Sequence, residues 1–482
     1  MEDKKIAKNY IYNLIYQVLV IILPLITTPY VSRILGAENI GIYSYTLSIV
    51  TYFVLIGSLG IATYGQREIA YVQSDKKKRS SIFWEIIIFR IITMIVVSIF
   101  YYFMYIKGTQ YTSYYKILIL ELISNCLDIS WFFQGMEEFK KTVLRNTIVK
   151  VLSIICIFSL VKTVNDLSVY ILIYALSNLV GNISLWAYLP KYIQKIDIKE
   201  LKLLRHLRPV IALFIPQIAI QLYTVLDKVM IGAMVENKVE SGYYEQAQKI
   251  IKILLTIVTA LGTVMLPRIA NKFADGKTDE IKRNIKTSFK FTYLLAFPML
   301  FGIIAISNRF VPVFLGAGYE EVSLLIKIIS PIILMIGLSN VIGNQYLLPT
   351  KRQKAFTISV LCGAIVNLIL NFILIKRYEA IGASIATVIA ETTVVAIQFI
   401  CVRNEIKFLE IIKLGLKNLI ASIIMLFIAI LIEKIMKNQS SYIIILIQVC
   451  TGIIAYFAML LILKDKFIIE IKDKFIKKKI KL

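Results

Sequence analysis

Apolar residues run along this chain in long, nearly unbroken stretches separated by short polar intervals. A helix needs about 20 mostly apolar residues to cross a bilayer core. Fourteen stretches reach that length, at roughly 10–31, 40–64, 82–106, 112–133, 142–161, 167–189, 209–234, 241–266, 287–306, 320–346, 355–375, 380–402, 412–433 and 441–463. Ile411–Ile432 and Tyr442–Leu463 are nearly uncharged, whereas the second, eighth and tenth stretches carry more polar residues. The pattern predicts an all-α integral membrane protein with 14 transmembrane helices. Lys4, Lys5 and Lys8 precede the first stretch as they would in a signal peptide. That stretch is longer than a signal's apolar region and lacks a small-residue cleavage site, so it reads as an uncleaved span. No connection is long enough for a separate domain; the longest lies around Pro267–Lys286.

Composition agrees: 58% of the 482 residues are hydrophobic. The net charge of +25 could suggest nucleic acid, but its distribution points elsewhere. Of 55 Lys and Arg residues, 39 fall on the side holding both termini, 10 on the other, and 6 within spans. With the acids counted, the three regions carry +23, +2 and zero. Lys and Arg kept in short loops mark the cytoplasmic side, so both termini are expected there, with membrane lipids and not nucleic acid as surroundings. The basic tail 464–482 fits the same topological role. Five cysteines (Cys126, Cys156, Cys362, Cys401, Cys450) lie in apolar runs without CxxC spacing. They read as small buried hydrophobes, with no disulfide framework or metal site. The only histidine, His206, stands in a cytoplasmic connection beside Arg205 and Arg208 and reads as a basic interfacial residue.

An internal repeat organises the spans. Arg33-Ile-Leu-Gly-Ala-Glu-Asn-Ile-Gly-Ile-Tyr returns, loosened, as Lys228-Val-Met-Ile-Gly-Ala-Met-Val-Glu-Asn followed by Ser241-Gly-Tyr-Tyr. Gly36 then matches Gly232, Gly41 matches Gly242, Gly60 matches Gly262, and Arg67-Glu-Ile-Ala matches Arg268-Ile-Ala. An offset of six spans keeps both copies in one orientation. Such parallel repeats commonly enclose a midplane binding site and rock between states. The expected organisation is a six-helix lobe over 1–190, a cytoplasmic linker over 191–206, a second six-helix lobe over 207–403, two further helices over 404–463, and a basic cytoplasmic tail over 464–482.

Trp131-Phe-Phe-Gln-Gly-Met-Glu-Glu-Phe-Lys140, at the end of span 4, resembles the WxxQGxExFK signature of polysaccharide biosynthesis flippases. Pro29-Tyr-Val-Ser-Arg-Ile-Leu-Gly, Val366-Asn-Leu-Ile-Leu-Asn-Phe-Ile-Leu and Ala380-Ile-Gly-Ala-Ser-Ile-Ala-Thr are similar to the same family, so the likeness covers the whole chain. The resemblance implies the multidrug/oligosaccharidyl-lipid/polysaccharide (MOP) exporter fold, two six-helix lobes in a V around a cavity. It further implies a Wzx-type flippase that moves undecaprenyl-pyrophosphate-linked sugar repeat units across the bacterial plasma membrane.

Charges at bilayer depth are costly unless they face a partner or water. Six acids (Glu85, Glu121, Asp128, Asp227, Glu245, Glu391) and six bases (Arg90, Lys150, Lys228, Lys249, Lys252, Lys327) fall inside the spans. Helical spacing groups some of them on shared faces. Span 8 carries Glu245, Gln248, Lys249 and Lys252; span 7 carries Gln217, Gln221, Thr224 and Lys228; span 4 carries Glu121, Asn125 and Asp128. Glu245 and Lys249 can neutralise each other, Lys327 can snorkel to the outer interface, and Glu85 reads as interfacial. A lipid pyrophosphate passing the bilayer centre needs cationic partners. Lys252, Lys228 and Arg33 (the repeat-mate of Lys228) are the first candidates, followed by Lys249, Arg90 and Lys150, with Gln217, Gln221, Thr224, Gln248 and Asn125 as polar lining. Buried carboxyls hold protons more tightly. Asp128, Glu121, Glu391 and Asp227 are therefore candidates for proton or sodium coupling, and helix-packing bonds explain them equally well. No cofactor is expected. Glycosyltransferases and a polymerase of the same pathway are the implied partners.

Two rivals differ in what they require. A cation-coupled drug exporter of the same fold would use an acidic or aromatic cavity, which Glu121 and Asp128 could begin to supply. A membrane glycosyltransferase or polymerase would need a large outer loop with catalytic groups, and no outer connection here is long enough.

Overall fold

The computed structural model describes the backbone of residues 2–197, 199 and 201–470; the side chains of residues 2–21, 139, 212–213, 215–217, 219–220, 222–224 and 263–264 lie outside that description. Every regular element among the described residues is helical. The principal helices are α1 (Glu2–Ser58), α2 (Ile61–Tyr71), α3 (Lys76–Tyr101), α4 (Thr112–Cys126), α5 (Ser130–Gly135), α6 (Phe139–Leu160), α7 (Leu167–Trp186) and α8 (Leu207–Met234). They continue as α9 (Lys238–Ala274), α10 (Thr278–Leu315), α11 (Glu320–Ile329), α12 (Ile332–Ser339), α13 (Gln353–Val402), α14 (Phe408–Ile435) and α15 (Ser441–Ile462).

Among the described residues, 11 helical stretches are long and apolar enough to cross a membrane. Two of them, Ile22–Tyr71 and Gln353–Val402, run for 50 residues. Drawn straight, each would reach about 75 Å, against a hydrocarbon core of about 30 Å. Each breaks near the middle of its two crossings instead. Gly36 (φ 76°, ψ 169°) interrupts α1 and Glu379 (φ 49°, ψ −125°) interrupts α13. Past Glu379 the chain doubles back: a Cβ on Gly382 would lie 2.9 Å from the Ile375 nitrogen. At Gly36, residues on both sides reach one short connection, with Tyr30 Oη donating to Val161 O (2.7 Å) and Asn39 Nδ2 to Val164 O (2.7 Å). Each long element thus holds two of the expected crossings.

Three expected spans are not continuous helices. Span 2 ends at Leu59 and Gly60, both with positive φ, before the short α2. Span 4 is interrupted between Cys126 and Ser130, and span 10 at Ser330–Pro331 before a π-helix over Asn340–Leu347. The glycine matches of the repeat also differ in conformation. Gly36 breaks a helix, whereas Gly232 lies inside α8 against the Tyr45 ring. Gly41 and Gly242 meet directly: a Cβ on Gly41 would lie 2.8 Å from the Gly242 nitrogen, a backbone approach that only small residues permit.

Packing divides the chain after Gly242, within α9. In the first unit one cluster gathers Leu35, Tyr43 and Val50 of α1 with Leu118 of α4 and Ile171 of α7. A second joins Ile61 and Tyr64 of α2, Phe83 of α3 and Trp131 of α5. The second unit packs Ile269, Phe289, Val341 and Phe399 around its π-helix, with a smaller group of Met425, Tyr456 and Leu460 between α14 and α15. Rows such as Leu152 and Ile155 on α6, Ile369 and Phe372 on α13, and Ile454 and Ile462 on α15 are exposed. Apolar surface so extensive has acyl chains, not water, as its solvent. The cysteines follow the same logic and correct the expected burial: Cys156 and Cys450 are exposed and the other three half-buried. A thiol is apolar enough to face lipid.

Candidate functional site

The most fully bonded charged cluster in the first unit was not expected. Glu85 on α3 is 1% exposed and His206 3%, so both side chains are enclosed by protein. The Glu85 carboxylate accepts from the Lys202 backbone N–H (2.8 Å), from Arg205 Nε (2.8 Å) and Nη2, and pairs with His206 Nε2 (2.7 Å). The other imidazole nitrogen, Nδ1, bonds the Tyr64 hydroxyl of α2 (2.7 Å). A carboxylate so deep needs this many donors, since an unpaired buried charge is strongly unfavourable.

The family-like signature lies next to this cluster, and its aromatic residues pack into the core there. Trp131, Phe132 and Phe133 are fully buried on α5. Gly65 on α2 lets the Trp131 ring lie against the helix backbone, and Gly135 meets the Gln66 carbonyl, 2.6 Å from where its Cβ would be. Gln73 Nε2 donates to Gly135 O (2.6 Å), and Lys141 Nζ sits 4.1 Å from the centre of the Tyr192 ring.

Deeper in the same unit, α4, α6 and α7 share a ladder of polar groups. Glu121 is buried and accepts from Asn178 Nδ2 (2.8 Å). One turn on, Asn182 Nδ2 donates to Ser124 O and Oγ (both 2.9 Å) and its Oδ1 accepts from Arg145 Nη1 (2.9 Å). Asn125 Nδ2 bonds back to the Glu121 carbonyl (3.0 Å). Asp128 is not on this stripe, because α4 has already ended. Its Oδ1 accepts from the Ser130 N–H (2.8 Å), and its carbonyl accepts from Arg90 Nη1 (2.9 Å) and Trp131 Nε1 (3.1 Å). Arg90 is 2% exposed and its Nε has no hydrogen-bond partner among the described residues. Together Asp128 and Arg90 hold the break in span 4. Lys150 is half-buried on α6.

On α1 and α8, Arg33 and Gln221 are exposed, Lys228 is half-buried, and Asp227 is buried within electrostatic reach of Tyr52. The side chains of Gln217 and Thr224 lie outside the described residues. On α9, Glu245 and Lys249 pair at 3.6 Å as their spacing predicted, while Lys252 is exposed. Gln248 is buried and donates to Tyr244 Oη (2.8 Å), which bonds Thr387 Oγ1 on α13 (3.0 Å). Glu391, also buried, is one turn beyond Thr387. Lys327 donates to Asn308 Oδ1 (2.6 Å). Among the candidates the structure therefore joins Glu121 with Asn125, Arg90 with Asp128, and Glu245 with Lys249.

Sequence reasoning did not single out Asn178, Asn182, Tyr244 and Thr387. Asn178 and Asn182 stand at i and i+4 in an otherwise apolar run, a signal that was available.

With this geometry in place, comparison with known proteins gives three results. The family model described as polysaccharide biosynthesis protein matches residues 6–273, and the MatE model matches residues 212–373. A relative from Escherichia coli (strain K12), named "Putative O-antigen transporter", is 27% identical over 407 residues, which is 83% of this chain and 97% of that protein. Among solved structures, "Lipid II flippase MurJ, inward closed conformation" superposes with a TM-score of 0.77 at 20% identity, over 95% of this chain and 100% of that one. A MATE multidrug transporter, DinF-BH, gives 0.56 at 14% identity, over 83% and 95% of the two chains. The fold is that of the MOP superfamily exporters.

Proposed function

Because the chain belongs to the polysaccharide biosynthesis protein family, we propose that it is a transporter and not an enzyme, a flippase for a lipid-linked oligosaccharide. The cargo is a sugar repeat unit on undecaprenyl pyrophosphate, carried by alternating access from the cytoplasmic to the outer leaflet of the bacterial plasma membrane, for assembly of a capsule or O-antigen type of polymer. Both termini are cytoplasmic. The family match over more than half of the chain carries the reading. Glycosyltransferases must supply such a substrate and a polymerase must consume it.

The chemistry at membrane depth supports it. Lys252, Lys228 and Arg33 are the bases we assign to the pyrophosphate. Lys249, Arg90 and Lys150 follow them as candidates; Glu245 pairs with Lys249, and the Asp128 carbonyl accepts from Arg90. An apolar groove of about 370 Å³ between α10, α14 and α15, lined by residues such as Leu294, Met299, Ile453 and Phe457, is suited to a prenyl chain.

The test is export in cells lacking the gene. Loss should leave lipid-linked repeat units facing the cytoplasm, and Lys252→Gln, Lys228→Gln and Arg33→Gln should each reduce surface polymer without loss of membrane insertion. Normal export in all three variants would remove the site assignment. Unchanged polymer and no trapped intermediate in the null strain would remove the function. The MatE match over residues 212–373 favours one alternative, a cation-coupled drug exporter; the null strain would then become drug-sensitive with its surface polymer intact.

A further inference from the structure

Among the described residues, every donor to the buried Glu85 carboxylate comes from residues 202–206, the last turn of chain before α8 begins at Leu207. Its own helix contributes none of them. The start of the same connection is fastened to the first turn of α3, where Arg79 Nε donates to Tyr192 O (3.1 Å) and the Gln194 N–H to Ser80 Oγ (2.9 Å). The connection between the two repeats therefore lies along α3 and is fastened at both ends. The division of the chain into packed units falls not in this connection but after Gly242.

We propose that Glu85, His206 and Arg205 form a latch that fixes the inter-repeat linker to α3 and α2 and so positions the first turn of α8 for transport. These are positioning residues; no contact with cargo is assigned to them. The transport part rests on the flippase reading, while the latch itself does not.

The latch has an unusual tolerance built into its hydrogen bonds. With neutral imidazole, Nε2–H donates to Glu85 and Nδ1 accepts from the Tyr64 hydroxyl. With imidazolium, Nδ1–H donates to the same oxygen, because a phenol can serve as either partner. Protonation keeps both bonds but adds a positive charge to a closed site. The charged groups around it are Glu85 on α3, Arg205 in the linker, and the surface Arg67–Glu68 pair on α2 (3.0 Å); Arg208 at the start of α8 is exposed. Burial pushes the imidazole below its ordinary range, against the opposing pull of Glu85. The unfolded chain then takes the proton first, so the latch is fully stable above the ordinary histidine range and weakens as pH falls through it.

Hydrogen exchange on the purified full-length protein in lipid nanodiscs tests this, with labelling times scaled for the intrinsic pH dependence. The peptide holding the Lys202 amide is the reporter. At pH 7.5, Glu85→Ala should exchange there at least tenfold faster than wild type, and Tyr64→Phe only a few-fold faster. Between pH 7.5 and 5.5 the wild-type peptide should lose protection several-fold. His206→Gln, which keeps an N–H donor but cannot titrate, should show no such loss. As the chain has one histidine, that contrast is specific. Unchanged exchange in Glu85→Ala, or equal acid sensitivity with and without His206, overturns the latch. Faster exchange with undiminished export in Glu85→Ala, in a strain where the null loses export, overturns the positioning role. If the null strain exports normally, the flippase reading fails and the exchange data still decide the latch.

Discussion

Two buried polar regions of the first unit look alike by burial and differ in how their charges are satisfied. At the α2–α3–linker end, Glu85 receives four hydrogen bonds, three of them from the Arg205 guanidinium and the His206 ring. Between α4 and α7, Glu121 receives one, from the Asn178 amide, and among the described residues no Lys or Arg pairs with it. The first carboxylate is saturated by partners that hold it in place. The second holds one helix near another and retains lone pairs for a proton or a cation. Depth in the membrane marks neither as functional by itself; the donor set separates the structural group from the one with capacity left.

The comparison predicts that the largest losses of stability belong to the saturated end. Trp131→Ala empties a fully buried site between α2, α3 and α5 and should cost about 3–5 kcal/mol, seen as a large drop in the thermal unfolding temperature of detergent-solubilised protein. A variant that keeps its unfolding temperature and loses only export would instead give the aromatic signature a direct part in transport. Glu85→Ala comes next, at about 3 kcal/mol, because it leaves the buried ring of His206 and one side of Arg205 without their acceptor. Glu85→Gln should fall between this and wild type.

In the ladder the expected effects are smaller. Asn182→Ala removes the bonds to Ser124 and Arg145, yet a polar group in a membrane bundle finds other partners when displaced, so about 0.6–1.7 kcal/mol is expected. A loss as large as that of Glu85→Ala would mean that the ladder, too, is a saturated structural network, and the contrast would fail.

How much of this could be read from the chain follows the same division. The crossings were legible, including the reversals near Gly36 and Glu379, because length and apolarity of a run are local properties. The Glu245–Lys249 pair was legible because four residues of helix fix its geometry. Glu85 was not, since its donors lie 117 to 121 residues away and single-sequence periodicity carries nothing across that distance. The partners of His206, Tyr64 and Glu85, were hidden for the same reason. The interruption of span 4 was hidden because Arg90 on α3 and Asp128, in the gap between α4 and α5, make it together. Signature residues 131–135 proclaimed a family while their visible work is packing, so a motif located a fold before it located a site.

The smallest expected change is also the most discriminating. Glu121→Gln keeps an oxygen for Asn178 and removes only the charge and the titrating proton, so stability should change by less than about 0.5 kcal/mol. If Glu121 couples transport to a proton or sodium gradient, export in this variant should become insensitive to collapse of that gradient while the wild type slows. The same substitution at Asp128, whose oxygen is already committed to the Ser130 N–H, should leave the gradient dependence as it is. Gradient dependence that survives in Glu121→Gln and disappears in the Asp128 variant would reverse the assignment. It would also show that a carboxylate already bonded to a backbone N–H can still carry the coupling, against the rule that separates Glu85 from Glu121.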